Sequence, residues 1–201
     1  MAFTYFFRDV QTLELIVKHL VPKSAGRTSV RIWDAGCASG QEPYTLAILL
    51  AESMGRFAYR NIHIEASDLD GSNLFADIIA KGIYPREELE RIPTPIFEKY
   101  FRKLPEGSHY QLDDQVRGRL RFQKHDLLTL TPIGKDFSAV VCKNVLLHFQ
   151  PEQRIAVIKM FHDALEPGGF FATEQTQKMP PEMSGLFEQV VDNAQLFRKV
   201  G

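Results

Sequence analysis

The chain has 201 residues, 44% of them hydrophobic and 24% charged, with a formal net charge of -1 at pH 7. This is enough chain for one globular domain with a full core, and the near-neutral charge argues against nonspecific binding to nucleic acid. No apolar run is long enough to cross a bilayer, and the N-terminus lacks the basic-then-apolar pattern of a signal peptide. The two cysteines, Cys37 and Cys142, are too few for a disulfide framework and lack zinc-ligand spacing. No metal site is expected, and a reduced, cytoplasmic setting fits. The 15 Phe are expected to fill core.

In chain order, Thr4-Tyr-Phe-Phe-Arg-Asp9 comes first, followed by Val10, Leu13, Ile16, Val17 and Leu20 at helical spacing. Pro22 is expected to stop that helix. A first strand is predicted at about 29–34 and a helix from Pro43 to Met54, burying Leu46, Leu49, Leu50 and Ser53. A second strand lies within Asn61–Asp70, with His63 as a strand residue, and Leu74, Ile78 and Ile79 mark a helix closed by Gly82. Residues 83–121 are the least regular. Short helices are predicted at Glu87–Arg91 and Pro95–Phe101, and strands of a small β insertion at Tyr110–Leu112 and Val116–Phe122. Phe137–Cys142 reads as a buried strand and Pro151–Leu165 as a helix. Glu166–Gly169 reads as a turn into strand Phe170–Thr173. Phe187–Val191 and Gln195–Val200 suit a closing antiparallel hairpin. Alternating strands and helices predict an α/β domain over 1–201, its sheet mainly parallel with helices on both faces.

The stretch Arg31-Ile-Trp-Asp-Ala-Gly-Cys-Ala-Ser-Gly-Gln-Glu-Pro-Tyr-Thr45 runs from a strand through a loop of small residues into a helix. That is the entry to a ligand crevice in an open parallel sheet. The spacing Gly36-x-x-x-Gly40 does not match the dinucleotide fingerprint, and no Lys-Ser/Thr follows to make a phosphate-binding loop. What remains is the shape that opens an S-adenosylmethionine site. Function in such a sheet gathers at the carboxyl ends of the strands. These offer Asp34 and Gly36, then Asp68, then Asp126, and after the buried strand Cys142, Lys143 and Asn144. Asp68, closing the second strand, suits ribose hydroxyls, whereas Asp70 better fits a helix cap. Asp126 suits either an adenine amino group or a solvated turn. Glu42 suits either the ammonium or ribose of the cofactor or the positive end of its own helix. Acids around a positive sulfonium make electrostatic sense and would repel a pyrophosphate.

These segments together resemble the chemotaxis receptor methyltransferases of the CheR type. The resemblance rests on the Phe-Phe-Arg run at 6–8, the Gly-Gln-Glu-Pro-Tyr run at 40–44, Ala66–Asp70, Gly82–Tyr84, Tyr100-Phe101, Asp126–Leu128, Phe137–Val145 and Leu165–Gly169, in family order across nearly the whole chain. It implies a Rossmann-like, class I S-adenosylmethionine methyltransferase fold with a small β insertion at about 84–121. The activity it implies is transfer of a methyl group to glutamate carboxylates of a chemoreceptor-like protein. It also implies that Thr4, Arg8, Glu42, Asp68, Asp126, Leu127, Cys142, Lys143 and Asn144 line the cofactor site, with Arg8 also near the methyl acceptor. Neither nucleic acid nor membrane insertion is implied.

Family members usually carry a helical domain ahead of the Phe-Phe-Arg motif, so this chain is expected to be a fragment or a catalytic domain whose recognition module lies elsewhere. Lys143 stands where Arg is common, and His148 where a tyrosine near the reaction centre is usual. Gln175-Thr176 replaces a Ser-Glu pair. His148 is therefore a candidate hydrogen-bond donor to the acceptor, its alternative being a packing histidine. Two other functions stay open: methylation of another protein or a small molecule, and a non-catalytic domain that binds the cofactor or its product.

Overall fold

The computed structural model describes residues 4–105 and 107–201. Its elements are α1 (Val10–Lys23), β1 (Val30–Ala35), α2 (Gln41–Ser53), α3 (Arg56–Tyr59), β2 (Ile62–Asp68), α4 (Phe75–Lys81), β3 (Ile83–Pro85), α5 (Thr94–Tyr100), β4 (Phe101–Lys103), β5 (His109–Leu112), α6 (Asp114–Arg117), β6 (Leu120–Lys124), β7 (Phe137–Val141), α7 (Pro151–Ala164), β8 (Leu165–Ala172), β9 (Phe187–Gln189) and β10 (Leu196–Lys199). The main sheet has the order β6-β2-β1-β7-β8-β10-β9. Its first five strands pair in parallel, and β10 and β9 close it as an antiparallel hairpin.

Strand alternation splits the core into two layers. Val30 and Ile32 of β1 join α1 and α2 in one cluster, through Leu13, Ile16, Leu20, Leu46 and Leu50. Trp33 and Ala35 face the other way and pack with Val157, Ile158 and Phe161 of α7. β7 does the same, with Ala139 and Val141 on the first side and Val140 on the second. This two-residue period is what a strand covered on both faces requires. Each large apolar side chain removed from water there contributes about 1.5–3 kcal/mol. Trp33 is fully buried, and its indole N–H donates to Ser67 Oγ at 2.8 Å, tying β1 to β2.

Several local expectations are corrected. Pro22 lies inside the last turn of α1 rather than ending it. There the proline forgoes only its own N–H, while Ser24 N–H donates back to the Leu20 and Val21 carbonyls. In α2, Leu49 is half-buried and Ser53 exposed, because the helix starts at Gln41 and turns Tyr44, Leu46, Ala47, Ile48 and Leu50 inward. The stretch expected as one insertion strand at Val116–Phe122 is divided. Asp113 Oδ1 accepts the Gln115 N–H at 2.8 Å and starts the turn of α6. After it, β6 joins the main sheet in parallel with β2. The small sheet is then β3-β5-β4, antiparallel throughout. Finally, β8 begins at Leu165, since residues 165–169 continue as strand through a register shift opposite Phe137–Ala139.

Candidate functional site

The chain leaves β1 toward β2 and later returns to β7 on the other side of β1, so the strand order reverses between β1 and β7. A crevice opens at the carboxyl ends of strands at such a point. Here it is a cavity of about 650 Å³. The loop after β1 supplies Gly36, Cys37 and Ala38, and α2 supplies Glu42. The end of β2 supplies Ser67, Asp68 and Leu69, and the segment after β6 supplies His125 to Leu128. The segment after β7 supplies Lys143 to Val145 and Leu147 to Phe149, and the N-terminal segment supplies Thr4 and Arg8.

Gly36 has φ +89°, and a Cβ there would meet Val145 Cγ2 at 2.2 Å. Its lack of a side chain thus lets the β1 and β7 loops close against each other, a reason beyond ligand approach. The Gly36 and Cys37 N–H groups both donate to the Ser67 carbonyl, at 2.7 and 3.1 Å. Asp68 fixes the rest of this loop. Its Oδ2 accepts from Ala38 N–H and its Oδ1 from Asp70 N–H, each at 3.0 Å. Asp70 does not line the cavity, and its carboxylate accepts the Leu74 and Phe75 N–H groups at the entry to α4. Asp126 both lines the cavity and caps a short turn, accepting the Leu128 N–H at 2.9 Å.

Lys143 is completely enclosed. Its ammonium donates to Glu42 Oε2 at 2.8 Å, to the Arg8 carbonyl at 3.1 Å and to the Asp9 carbonyl at 3.5 Å. Burial raises the Glu42 pKa, and Lys143 pulls it back in part. Behind them lies Asp34, fully buried, with neither carboxyl oxygen hydrogen-bonded among the described residues. Burial, reinforced by the charge of Glu42, pushes its pKa well up, against the attraction of Lys143. Glu42 is matched by Lys143, and the acids that the cavity wall offers a ligand beyond that pair are Asp68 and Asp126. Arg8 Nη2 donates to Asn144 Oδ1 at 3.1 Å, and Arg8 Nε stands 3.7 Å from Asp9 Oδ2. His148, in a short turn after β7, is exposed at the cavity wall.

Ten of the residues singled out from the sequence therefore line one cavity: Thr4, Arg8, Gly36, Glu42, Asp68, Asp126, Leu127, Lys143, Asn144 and His148. Asp34 does not, and neither does Cys142. Its N–H donates to the Ala172 carbonyl, which extends the β7–β8 pairing, and its side chain is buried in the α7 layer. Burial pushes the thiols of both Cys142 and Cys37 far above their ordinary pKa. Sequence reasoning missed Leu69, Leu128 and Leu147, which are 60%, 41% and 48% exposed on the cavity wall. Their signal was a leucine next to a strand-end acid or asparagine-bearing loop, left without a core to enter. It also missed Glu174, whose Oε2 accepts the Asn144 N–H at 2.8 Å and the Thr173 hydroxyl at 2.7 Å.

A family model described as "CheR methyltransferase, SAM binding domain" matches residues 2–195. Among curated proteins, chemotaxis protein methyltransferase 2 of Vibrio cholerae serotype O1 is 30% identical over 189 residues, covering 92% of this chain and 64% of the relative. A chemotaxis protein methyltransferase of Listeria innocua serovar 6a is 33% identical over 184 residues, covering 90% of this chain and 67% of the relative. The chain thus spans about two thirds of the length of these relatives. Among solved structures, the rRNA methyltransferase aviRa from Streptomyces viridochromogenes superposes with a TM-score of 0.57 at 15% identity, over 99% of this chain and 85% of that one, which shows a shared fold. By the extent of the family match and the identity to these relatives, this chain belongs to the CheR methyltransferase family and comprises its S-adenosylmethionine-binding domain.

Proposed function

We propose that this chain transfers a methyl group from S-adenosylmethionine to glutamate side-chain carboxylates of a chemoreceptor-like protein, forming glutamate methyl esters. The observation that carries the reading is the cavity itself. It gathers Glu42 on α2, Asp68 and Asp126 after the strands β2 and β6, and Arg8 on the N-terminal segment around about 650 Å³. When bound, the cofactor supplies an electrophilic methyl group on a positively charged sulfur. Asp68 takes the ribose hydroxyls, because two of its roughly four lone-pair positions remain after Ala38 and Asp70 are served. Asp126 takes the adenine amino group, between the apolar walls of Leu69 and Leu128. Glu42 is matched by Lys143, so Asp68 and Asp126 on the cavity wall are the acids that favour a cation.

The acceptor needs no general base. A glutamate carboxylate, with an unperturbed pKa of about 4.3, is already ionised at neutral pH. Its oxygen lone pair would take the methyl group, with the electron pair of the carbon–sulfur bond left on sulfur. The residues contribute orientation and exclusion of water. Arg8 holds the carboxylate through charge-assisted hydrogen bonds, and His148 donates a further one from the cavity wall. The acceptor is a protein and not a nucleic acid, in keeping with the net charge of -1. The two buried free thiols support a reducing, cytoplasmic setting. Among the described residues no helix is long and apolar enough to cross a membrane.

The test is incubation with S-adenosylmethionine and the cytoplasmic fragment of a chemoreceptor, followed by peptide mass spectrometry. Methyl esters on glutamates support the reading. Transfer to another residue type, or to none while the cofactor binds, overturns it.

A further inference from the structure

The N-terminal segment that carries Arg8 is held in an unfavourable backbone shape. Phe7 has φ 60° and Asp9 φ 44°, so both neighbours of Arg8 occupy the left-handed region that side-chain-bearing residues rarely adopt. Such a shape persists only where its surroundings over-determine it. Phe6 anchors one end, fully buried, with its ring 4.9 Å from that of Tyr84 and 5.5 Å from that of Phe101, both edge-on. The Phe7 N–H donates to Thr45 Oγ1 of α2 at 3.0 Å. The Asp9 carbonyl accepts the Thr12 N–H at 3.3 Å at the entry to α1, and the ammonium of Lys143 binds the carbonyls of both Arg8 and Asp9 together with Glu42 Oε2. An ammonium has three protons to give, and here each has an oxygen.

We propose that Lys143 is a positioning residue: it latches the strained Arg8 segment to the first turn of α2 and thereby fixes where the Arg8 guanidinium enters the cavity. This deepens the proposed function and rests on the reading of Arg8 as the group that holds the acceptor. Lys143 lies beneath the segment and Glu42 is its counter-charge, so it acts through Arg8 and not on the methyl group. Asn144, the next residue, accepts from Arg8 Nη2, and its own N–H is held by Glu174, so backbone and side chain of Arg8 are fixed from adjacent positions of one loop.

The experiment is hydrogen–deuterium exchange of residues 5–9, with parallel methyl-transfer kinetics, on the wild type, Lys143→Met and the pair Glu42→Gln/Lys143→Met. The single variant leaves a buried carboxylate unpaired. The pair removes both charges with groups of similar shape and so keeps the fold testable. In both variants, residues 5–9 exchange about tenfold faster or more while β1, β2 and β7 keep their protection, and in Lys143→Met the KM for the acceptor rises about tenfold at saturating S-adenosylmethionine. Unchanged exchange at residues 5–9 in the pair overturns the latch, as does a loss of protection spread over the whole sheet in both variants. Faster exchange at residues 5–9 with an unchanged acceptor KM leaves the latch standing and overturns the role given to Arg8.

Discussion

Asp68→Asn separates the two tasks assigned to one carboxylate. In the structure its two oxygens each accept a backbone N–H at 3.0 Å, one from Ala38 in the loop after β1 and one from Asp70. A carboxylate offers about four lone-pair positions, so about two remain for ribose hydroxyls, whereas an asparagine oxygen offers about two in all. The substitution therefore removes one backbone bond and one ligand bond. A hydrogen bond to a charged group contributes about 1.5–3 kcal/mol. The folded chain should lose about 1–2 kcal/mol, and the affinity for S-adenosylhomocysteine should fall about tenfold to a hundredfold, at 1.4 kcal/mol per factor of ten. Calorimetric titration reads the second quantity and urea denaturation the first. An affinity within about threefold of wild type, with the stability loss present, would make Asp68 a loop anchor only and refute the ribose assignment.

Gly36→Ala should cost about 2 kcal/mol or more of stability and weaken S-adenosylhomocysteine binding over tenfold, since φ is +89° and the new Cβ meets Val145 Cγ2 at 2.2 Å. Adding Val145→Ala should recover part of the loss but not the part due to φ, a difference that thermal denaturation of the three variants reads. Arg8→Lys keeps the charge and loses the planar fork, so the acceptor KM should rise about tenfold with cofactor affinity nearly unchanged, and full activity would refute a bidentate role. Arg27 grips Glu166 with two bonds of 2.5 and 2.6 Å, which holds the Glu166 carboxyl below its usual pKa. The contribution is thus present above the unfolded value of about 4.3 and lost as pH falls through the lower folded value. Glu166→Gln should cost about 1–2 kcal/mol at pH 7 and nothing at low pH, measured by urea denaturation across pH.

The parallel half of the fold was legible because its strands are buried on both faces and read as continuous apolar runs, as in Phe137–Val141. β6 was not, because Leu120–Lys124 holds only two apolar residues, Leu120 and Phe122, among polar ones, as an edge strand does, and its pairing with β2 is non-local. The cavity wall was legible where polar residues end strands. Cys142 was misplaced because neighbours in sequence at a strand end face opposite layers, so Lys143 can reach the cavity while Cys142 cannot. Glu174 went unseen because its role, holding the backbone of Asn144, depends on the adjacency of β7 and β8. The orphaned carboxyl of Asp34 is likewise a property of packing, since the sequence shows only an acid at the end of an apolar strand.

Everything proposed for the site depends on the cofactor lying in the cavity at the ends of β1, β2 and β7. A crystal structure of the chain with S-adenosylhomocysteine would show whether it does. Ribose hydroxyls are expected within hydrogen-bond distance of Asp68, adenine beside Asp126, and sulfur on the side of Arg8 and His148. A product bound outside this cavity, or inside it with the ribose turned away from Asp68, would refute that placement.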